Sequence, residues 1–158
     1  MVRRGAPITG EFAFEHPIEV RFRDTDAFGH VNNAVYLSYF EAARAGYYAA
    51  VTGTPFLTGD HGSAHNFVIA EARVVYRAPS LFGETLRVGC RFAWAGRTSF
   101  GLDYRVRAEK SAVGEERVVA DGETVQVMFD LDRNRVTRVP ADLLALFEEF
   151  EGGPIPRR

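Results

Sequence analysis

One segment constrains this chain more than any other. From Asn32 to Val51 there is no proline, and Glu41 and Arg44 are the only charges. The pattern predicts a helix that is apolar nearly all round, and such a helix must be buried on most sides. Asn32 or Asn33 is expected to cap its start, and Thr52-Gly53-Thr54-Pro55 to stop it. Ala42, Ala43, Ala45 and Gly46 are small, so a neighbouring backbone can come close.

The remaining segments have period two. Phe12, Phe14, His16, Ile18, Val20 and Phe22 alternate with smaller or polar residues, which predicts a strand before the helix. Pro17 cannot donate to a ladder and belongs at a bulge or an edge. Four strands are expected after the helix. One runs from Asn66 to Tyr76, with Val68, Ala70, Ala72, Val74 and Tyr76 on one face. The next two carry Leu86 to Trp94 and Phe100 to Val106 at alternate positions. The last runs from about Arg117 to Leu131, and Gly122 is expected to mark a bulge in it. A short helix, Ala141–Glu151, follows Pro140. Consecutive hairpins favour an antiparallel sheet, and the one long apolar helix must be buried by it. The expected fold class is α+β: a curved antiparallel sheet wrapped around a central helix.

The 158 residues suit one domain over 1–158, with an ordered core at about 11–151 and loose ends at residues 1–10 and Gly152–Arg158. The Met1–Gly5 start lacks the apolar stretch of about 7–15 residues that a leader needs. A net charge of -2 gives no global field for nucleic acid. The longest apolar stretch is too polar to span a bilayer, so no membrane partner is expected. The single cysteine, Cys90, fits a reducing compartment, and a cytoplasmic location is expected.

Chemistry concentrates between the first strand and the helix, in Arg21-Phe22-Arg23-Asp24-Thr25-Asp26-Ala27-Phe28-Gly29-His30-Val31-Asn32-Asn33. Unpaired N–H groups at a helix start stabilise an oxyanion or bind a phosphate. A nearby carboxylate can serve as base or nucleophile. Together they suit attack on a carbonyl. Caps and turns use the same residue types, so Asp24, Asp26 and Asn33 also fit a purely structural role. Asp24-x-Asp26 matches a phosphatase nucleophile pattern too, but that class needs a parallel sheet. No His or Cys cluster completes a metal site, and no metal or separate cofactor is expected.

The stretch from Phe22 to Arg44, with Asp24-Thr25-Asp26-Ala27-Phe28-Gly29-His30-Val31-Asn32-Asn33 and then Tyr36-Leu37-Ser38-Tyr39-Phe40-Glu41-Ala42-Ala43-Arg44, resembles the signature of the 4-hydroxybenzoyl-CoA thioesterase family. It is similar in particular to the acyl-CoA thioesterase branch with His-Val-Asn-Asn. Val75-Tyr76-Arg77-Ala78-Pro79 resembles the family's Tyr-x-x-Pro strand end, and Gly96-Arg97-Thr98-Ser99-Phe100 its Arg-x-Ser turn. The resemblance covers about residues 16–150.

The resemblance implies the hotdog fold and hydrolysis of acyl-CoA, with coenzyme A as part of the substrate. It implies Asp26 as the catalytic carboxylate and backbone N–H groups near Val31, Asn32 and Asn33 as the oxyanion hole. His30 either donates to the carbonyl, holds Asp26, or packs in the loop. The resemblance also implies homodimers, often paired into homotetramers, with sites at the subunit interface. Phe28, Tyr36, Tyr39 and Phe40 are candidates for the acyl pocket, although helical spacing also fits core residues. Arg97 and Ser99 are candidates for the nucleotide. Arg87, Arg91, Arg105 and Arg107 fall on an outward face, where a three-residue loop would set Arg91 opposite Asp103. In a related plant acyl-carrier-protein thioesterase branch an Asn precedes the His by two positions; Phe28 stands there here. The Asn of that branch is thus absent here. An acyl-carrier protein is still the main alternative carrier, because the same chemistry would serve it. A dehydratase and a non-catalytic acyl-CoA binding protein are further alternatives.

Overall fold

A computed structural model describes residues 6–55 and 65–158; the Met1–Gly5 start lies outside them. The strands are β1 (Glu15–Glu19), β2 (Phe67–Tyr76), β3 (Thr85–Ala95), β4 (Ser99–Ala108), β5 (Arg117–Asp130) and the short β6 (Arg135–Val136). The helices are α1 (Val35–Thr52) and α2 (Ala141–Glu151). The sheet order is β1-β3-β4-β5-β2, every pairing is antiparallel, and β6 extends the end of β5. This is the hotdog arrangement: the sheet curls around α1, which packs chiefly on β1 and β3.

The helix buries one stripe: Tyr36, Tyr39, Phe40, Ala43 and Tyr47. Those positions fall about one helical turn apart, as a core-facing stripe requires. Leu37, Ser38 and Glu41 remain exposed, so the helix is less enclosed than its composition predicts. Phe40 stacks on Tyr104 with ring centroids 4.4 Å apart. Gly46 meets β1 closely; a Cβ there would lie 2.9 Å from His16 Nδ1 and 3.0 Å from Phe14.

Several local expectations change. The expected first strand is cut short: Phe22 falls in a 3-10 turn, Phe22–Asp24, and is 76% exposed. Pro17 lies on β1, the sheet's edge, as its missing N–H demands. Neither Asn32 nor Asn33 caps α1; the helix starts later, with Ala34 at the N-cap position. Asn32 Oδ1 instead accepts the Ala34 N–H at 2.9 Å, and Asn32 O accepts the Val35 N–H at 3.0 Å.

In β2 the register to β5 slips at Ala70, between Ile69 and Glu71. Beyond that bulge Phe67 and Ile69, rather than Val68 and Ala70, share the face of Ala72, Val74 and Tyr76, because an extra residue reverses the alternation. Gly122 marks no bulge; the slip in β5 falls at Val119. Gly122 has another reason to be glycine: the Phe40 ring fills the place of its Cβ, 2.2 Å away.

The β3–β4 hairpin does set Arg91 opposite Asp103, with their side chains 3.1 Å apart. It reaches that register through a slip between Phe92 and Trp94. The C-terminal tail is tied down. Ala95 N donates to Pro156 O at 2.9 Å, Arg158 N donates to Ala95 O at 3.0 Å, and Ile155 is buried. Among the described residues no helix is long and apolar enough to cross a membrane.

Candidate active site

The segment from Arg21 to Ala34 turns twice between β1 and α1. Its first turn is built on Asp24, which is 3% exposed. Arg21 donates to this carboxylate from its backbone N–H at 2.9 Å and from its guanidinium at 3.1 and 3.3 Å. Tyr39 donates its hydroxyl to the same group at 3.0 Å. Burial opposes the charge on Asp24, but these donors outweigh it and hold the carboxyl below its ordinary range. The same contact, added to burial, pushes the Tyr39 hydroxyl well above its own.

Two residues later the chain reverses. Gly29 N donates to Asp26 O at 2.9 Å, and Asp26 N donates to His30 O at 2.9 Å. Gly29 has φ 76°, which glycine adopts at least cost. Asp26 Oδ1 accepts the Phe28 N–H at 2.9 Å. Its other oxygen has no partner among the described residues, and the side chain is half-buried.

Asp26, Phe28, His30, Val31, Asn33 and Tyr36 line a cleft of about 440 Å³ that opens to solvent. Tyr76, Arg77, Ala78 and Pro79, from the end of β2 and the turn after it, form the opposite wall. Tyr76 crosses the cleft edge: its hydroxyl donates to Asn33 O at 2.7 Å, and its ring meets Tyr36 edge-on at 5.2 Å. Phe28 stands at the lip, 85% exposed.

The three expected amide donors differ. Val31 N donates to Ser80 O at 2.9 Å, and Asn32 N donates to Asp24 O at 2.8 Å. Both are committed within the chain. The Asn33 N–H has no acceptor among the described residues, and Asn33 lines the cleft.

Other expected residues fall outside the cleft. The Asn32 side chain turns to Ala34 N. Tyr39 and Phe40 belong to the buried core, where the spacing that suited an acyl pocket also suits a core stripe. Arg97 and Ser99 lie at the far end of the sheet. Ser99 pairs with Val127, which pairs with Val68, whereas Tyr76 pairs with Ala120, which pairs with Val106. At about 3.4 Å per residue, the cleft is on the order of 20 Å away along β4.

Arg87, Arg91, Arg105 and Arg107 are occupied by Glu109, Asp103, Asp121 and Glu15 respectively. Tyr76 to Pro79 are the lining residues that chemical typing missed; their only sequence signal was the resemblance of Val75–Pro79 to a strand-end motif. Among the described residues no group of three or more His, Cys, Asp or Glu side chains is placed to hold a metal ion.

Residues 20–147 match the profile of the Thioesterase-like superfamily. The chain is 30% identical, over 94% of its length and 74% of the relative's, to the chloroplastic acyl-acyl carrier protein thioesterase ATL2 of Arabidopsis thaliana. It is 28% identical, over 84% of its length and 96% of the relative's, to the long-chain acyl-CoA thioesterase FadM of Escherichia coli. A Thermus thermophilus thioesterase, solved with coenzyme A and Zn, superposes with a TM-score of 0.74 at 34% identity, covering 91% of this chain and 98% of that one. Matched over most of its length in sequence and sharing the fold, the chain belongs to the Thioesterase-like superfamily.

Proposed function

We propose that this thioesterase hydrolyses acyl-CoA to the free acid and coenzyme A, with Asp26 as the reacting carboxylate. The observation that carries the reading is the pairing, in one cleft, of a carboxylate with an uncommitted oxygen and the unengaged Asn33 N–H. In this reading the thioester carbonyl points at the Asn33 amide. Asp26 either attacks the carbonyl carbon or takes a proton from the water that does. His30, in the same lining, is the further donor available to the carbonyl. Phe28, Tyr36 and Tyr76 cover the acyl group. Two of the three amides first expected to form the oxyanion hole already donate elsewhere, so the reading rests on Asn33 rather than on Val31 or Asn32.

The proposed enzyme is a homodimer, and a homotetramer is a pair of such dimers. β2 is a long edge strand whose Val68 and Ile69 are exposed, the kind of edge that recruits another strand. Antiparallel pairing of β2 with β2 of a second copy would set Tyr76 beside the second copy's Phe67. The far end of that copy's sheet, with its Arg97–Ser99 turn, would then approach this chain's cleft. Arg97 and Ser99 would meet coenzyme A only across such an interface. A cytoplasmic location, expected from the lone cysteine, is part of the same proposal.

A positioned base contributes about 10²–10⁴ in rate. Asp26→Asn should therefore lose nearly all turnover on an acyl-CoA panel of short, long, branched and aromatic chains while keeping its thermal midpoint. Equal hydrolysis by Asp26→Asn and wild type removes the assignment. The Arabidopsis relative favours a second reading, in which an acyl-carrier protein delivers the thioester. Faster turnover of acyl-carrier protein than of acyl-CoA would select it. Tight acyl-CoA binding without hydrolysis would reject both.

A further inference from the structure

Glu84 is 0% exposed although it carries a charge. Arg117 grips it with both arms of the guanidinium, at 2.7 and 2.9 Å. The remaining valences are filled as well. Leu81 N donates to Glu84 Oε2 at 2.8 Å, and Arg117 donates to Pro79 O at 2.7 Å and Glu115 O at 2.8 Å. Gly114 makes room for the pair; a Cβ there would lie 2.5 Å from Glu84 Oε1. A buried ion pair adds little net stability over an apolar pair of the same volume. Its value here must lie in what it fixes.

What it fixes is Ser80. The pair holds the carbonyl before Ser80 and the N–H after it. Ser80 O in turn accepts the Val31 N–H at 2.9 Å, and Ser80 Oγ shares a hydrogen bond with the Tyr36 hydroxyl at 2.9 Å. Val31, Tyr36 and Pro79 all line the cleft, whereas Glu84, Arg117 and Ser80 do not. Tyr76 on Asn33 O and Val35 on Asn32 O secure the other side of the Asn33 amide.

We infer that the Glu84–Arg117 pair is a positioning element for the reaction, acting through Ser80 to hold the Val31–Asn33 backbone at the angle the carbonyl requires. The inference rests on the proposed use of the Asn33 N–H. A donor that counts only when charge develops on the carbonyl acts on kcat rather than on KM.

Arg117→Lys keeps the charge but loses the fork, and Glu84→Gln keeps the shape but leaves Arg117 without its counter-charge. Neither opens a large cavity, and the kinetic readout separates a positioning loss from the loss of stability both will show. Steady-state kinetics well below the thermal midpoint should give kcat lower by roughly ten- to a hundredfold, since misplacement of about 1 Å costs that much. KM should stay within about threefold of wild type. Amide exchange followed by NMR should show the Val31 N–H exchanging faster in both variants. Arg87→Lys, in a half-buried ion pair elsewhere on the sheet, is the control and should match wild type in kcat. A lowered thermal midpoint with unchanged kcat and unchanged Val31 exchange overturns the inference. A wild type that hydrolyses neither acyl-CoA nor acyl-carrier protein overturns the proposed function instead, and the Val31 exchange rates then decide the clamp by themselves.

Discussion

Asp24 and Asp26 stand two residues apart and differ in nearly everything that decides what a carboxylate does. Asp24 is buried, takes donors from Arg21 and Tyr39 on its oxygens, and anchors the turn beneath the cleft. Asp26 is half-buried, accepts one backbone N–H, and lines the open cleft with a second oxygen that has no partner among the described residues. A carboxylate saturated with donors is held ionised and has no lone pair to offer; one that is undersaturated beside a cleft can react. Donor saturation, rather than burial or charge, separates the structural acid from the one proposed to react.

The contrast predicts opposite responses to the same substitution. Asp26→Asn carries the largest expected effect, the loss of about 10²–10⁴ in kcat already set out, with a change in stability below about 0.5 kcal/mol by urea unfolding. Asp24→Asn should do the reverse: about 2–4 kcal/mol of stability lost, because donors built for an anion face an amide, and kcat of the folded fraction within about threefold. If Asp24→Asn abolishes turnover at full stability, the two roles are exchanged.

The pH dependence of stability sharpens the same comparison. Asp24 titrates below its unfolded value, so its contribution is complete above pH about 4 and is lost as pH falls through the native value. Tyr36 and Tyr39 titrate above theirs, chiefly because burial disfavours the phenolate, so their contribution is complete below pH about 10 and declines as pH rises past it. In urea midpoints, the Asp24 and tyrosine contributions should be flat between these limits. Inside them, burial lowers the His16 imidazole and adds a decline below pH about 6.5. Burial also raises the Cys90 thiol and adds one above pH about 9. Asp24→Asn should therefore weaken only the limb below pH about 4. The smallest expected effect is that of Tyr39→Phe, about 1 kcal/mol for one hydrogen bond, with an acid limb moved to higher pH because Asp24 loses a donor. An unmoved limb would mean that Arg21 alone sets the titration of Asp24.

Periodicity revealed most of this fold. The wrapped helix, the antiparallel strands and α2 follow from where apolar residues repeat, because burial imposes those repeats. What escaped were features set by long-range fit. The Ala70 slip in β2 exists only in relation to β5, so alternation within β2 alone put Val68 and Ala70 on the wrong face. Gly122 looked like a strand defect because nothing local says that Phe40 lies against it. The site was half legible. The Asp26–Asn33 segment is contiguous, so its residues travel together into one cleft. The wall from Tyr76 to Pro79 joins it through tertiary pairing, and its alanine and proline carry no chemical mark. Which amides were free was invisible in the sequence, since Ser80 O takes the Val31 N–H from 49 positions away by fold alone.

The interlock of Phe40 with Gly122 has a historical consequence. Neither position can drift by itself: a methyl group at 122 collides with the ring, and a smaller residue at 40 leaves a hole that destabilises by about 3–5 kcal/mol. Related chains should therefore change the two positions in concert, trading ring for aliphatic on the helix as glycine gives way on the strand. Ancestral reconstructions that mix the two states would be the ones that fail to accumulate.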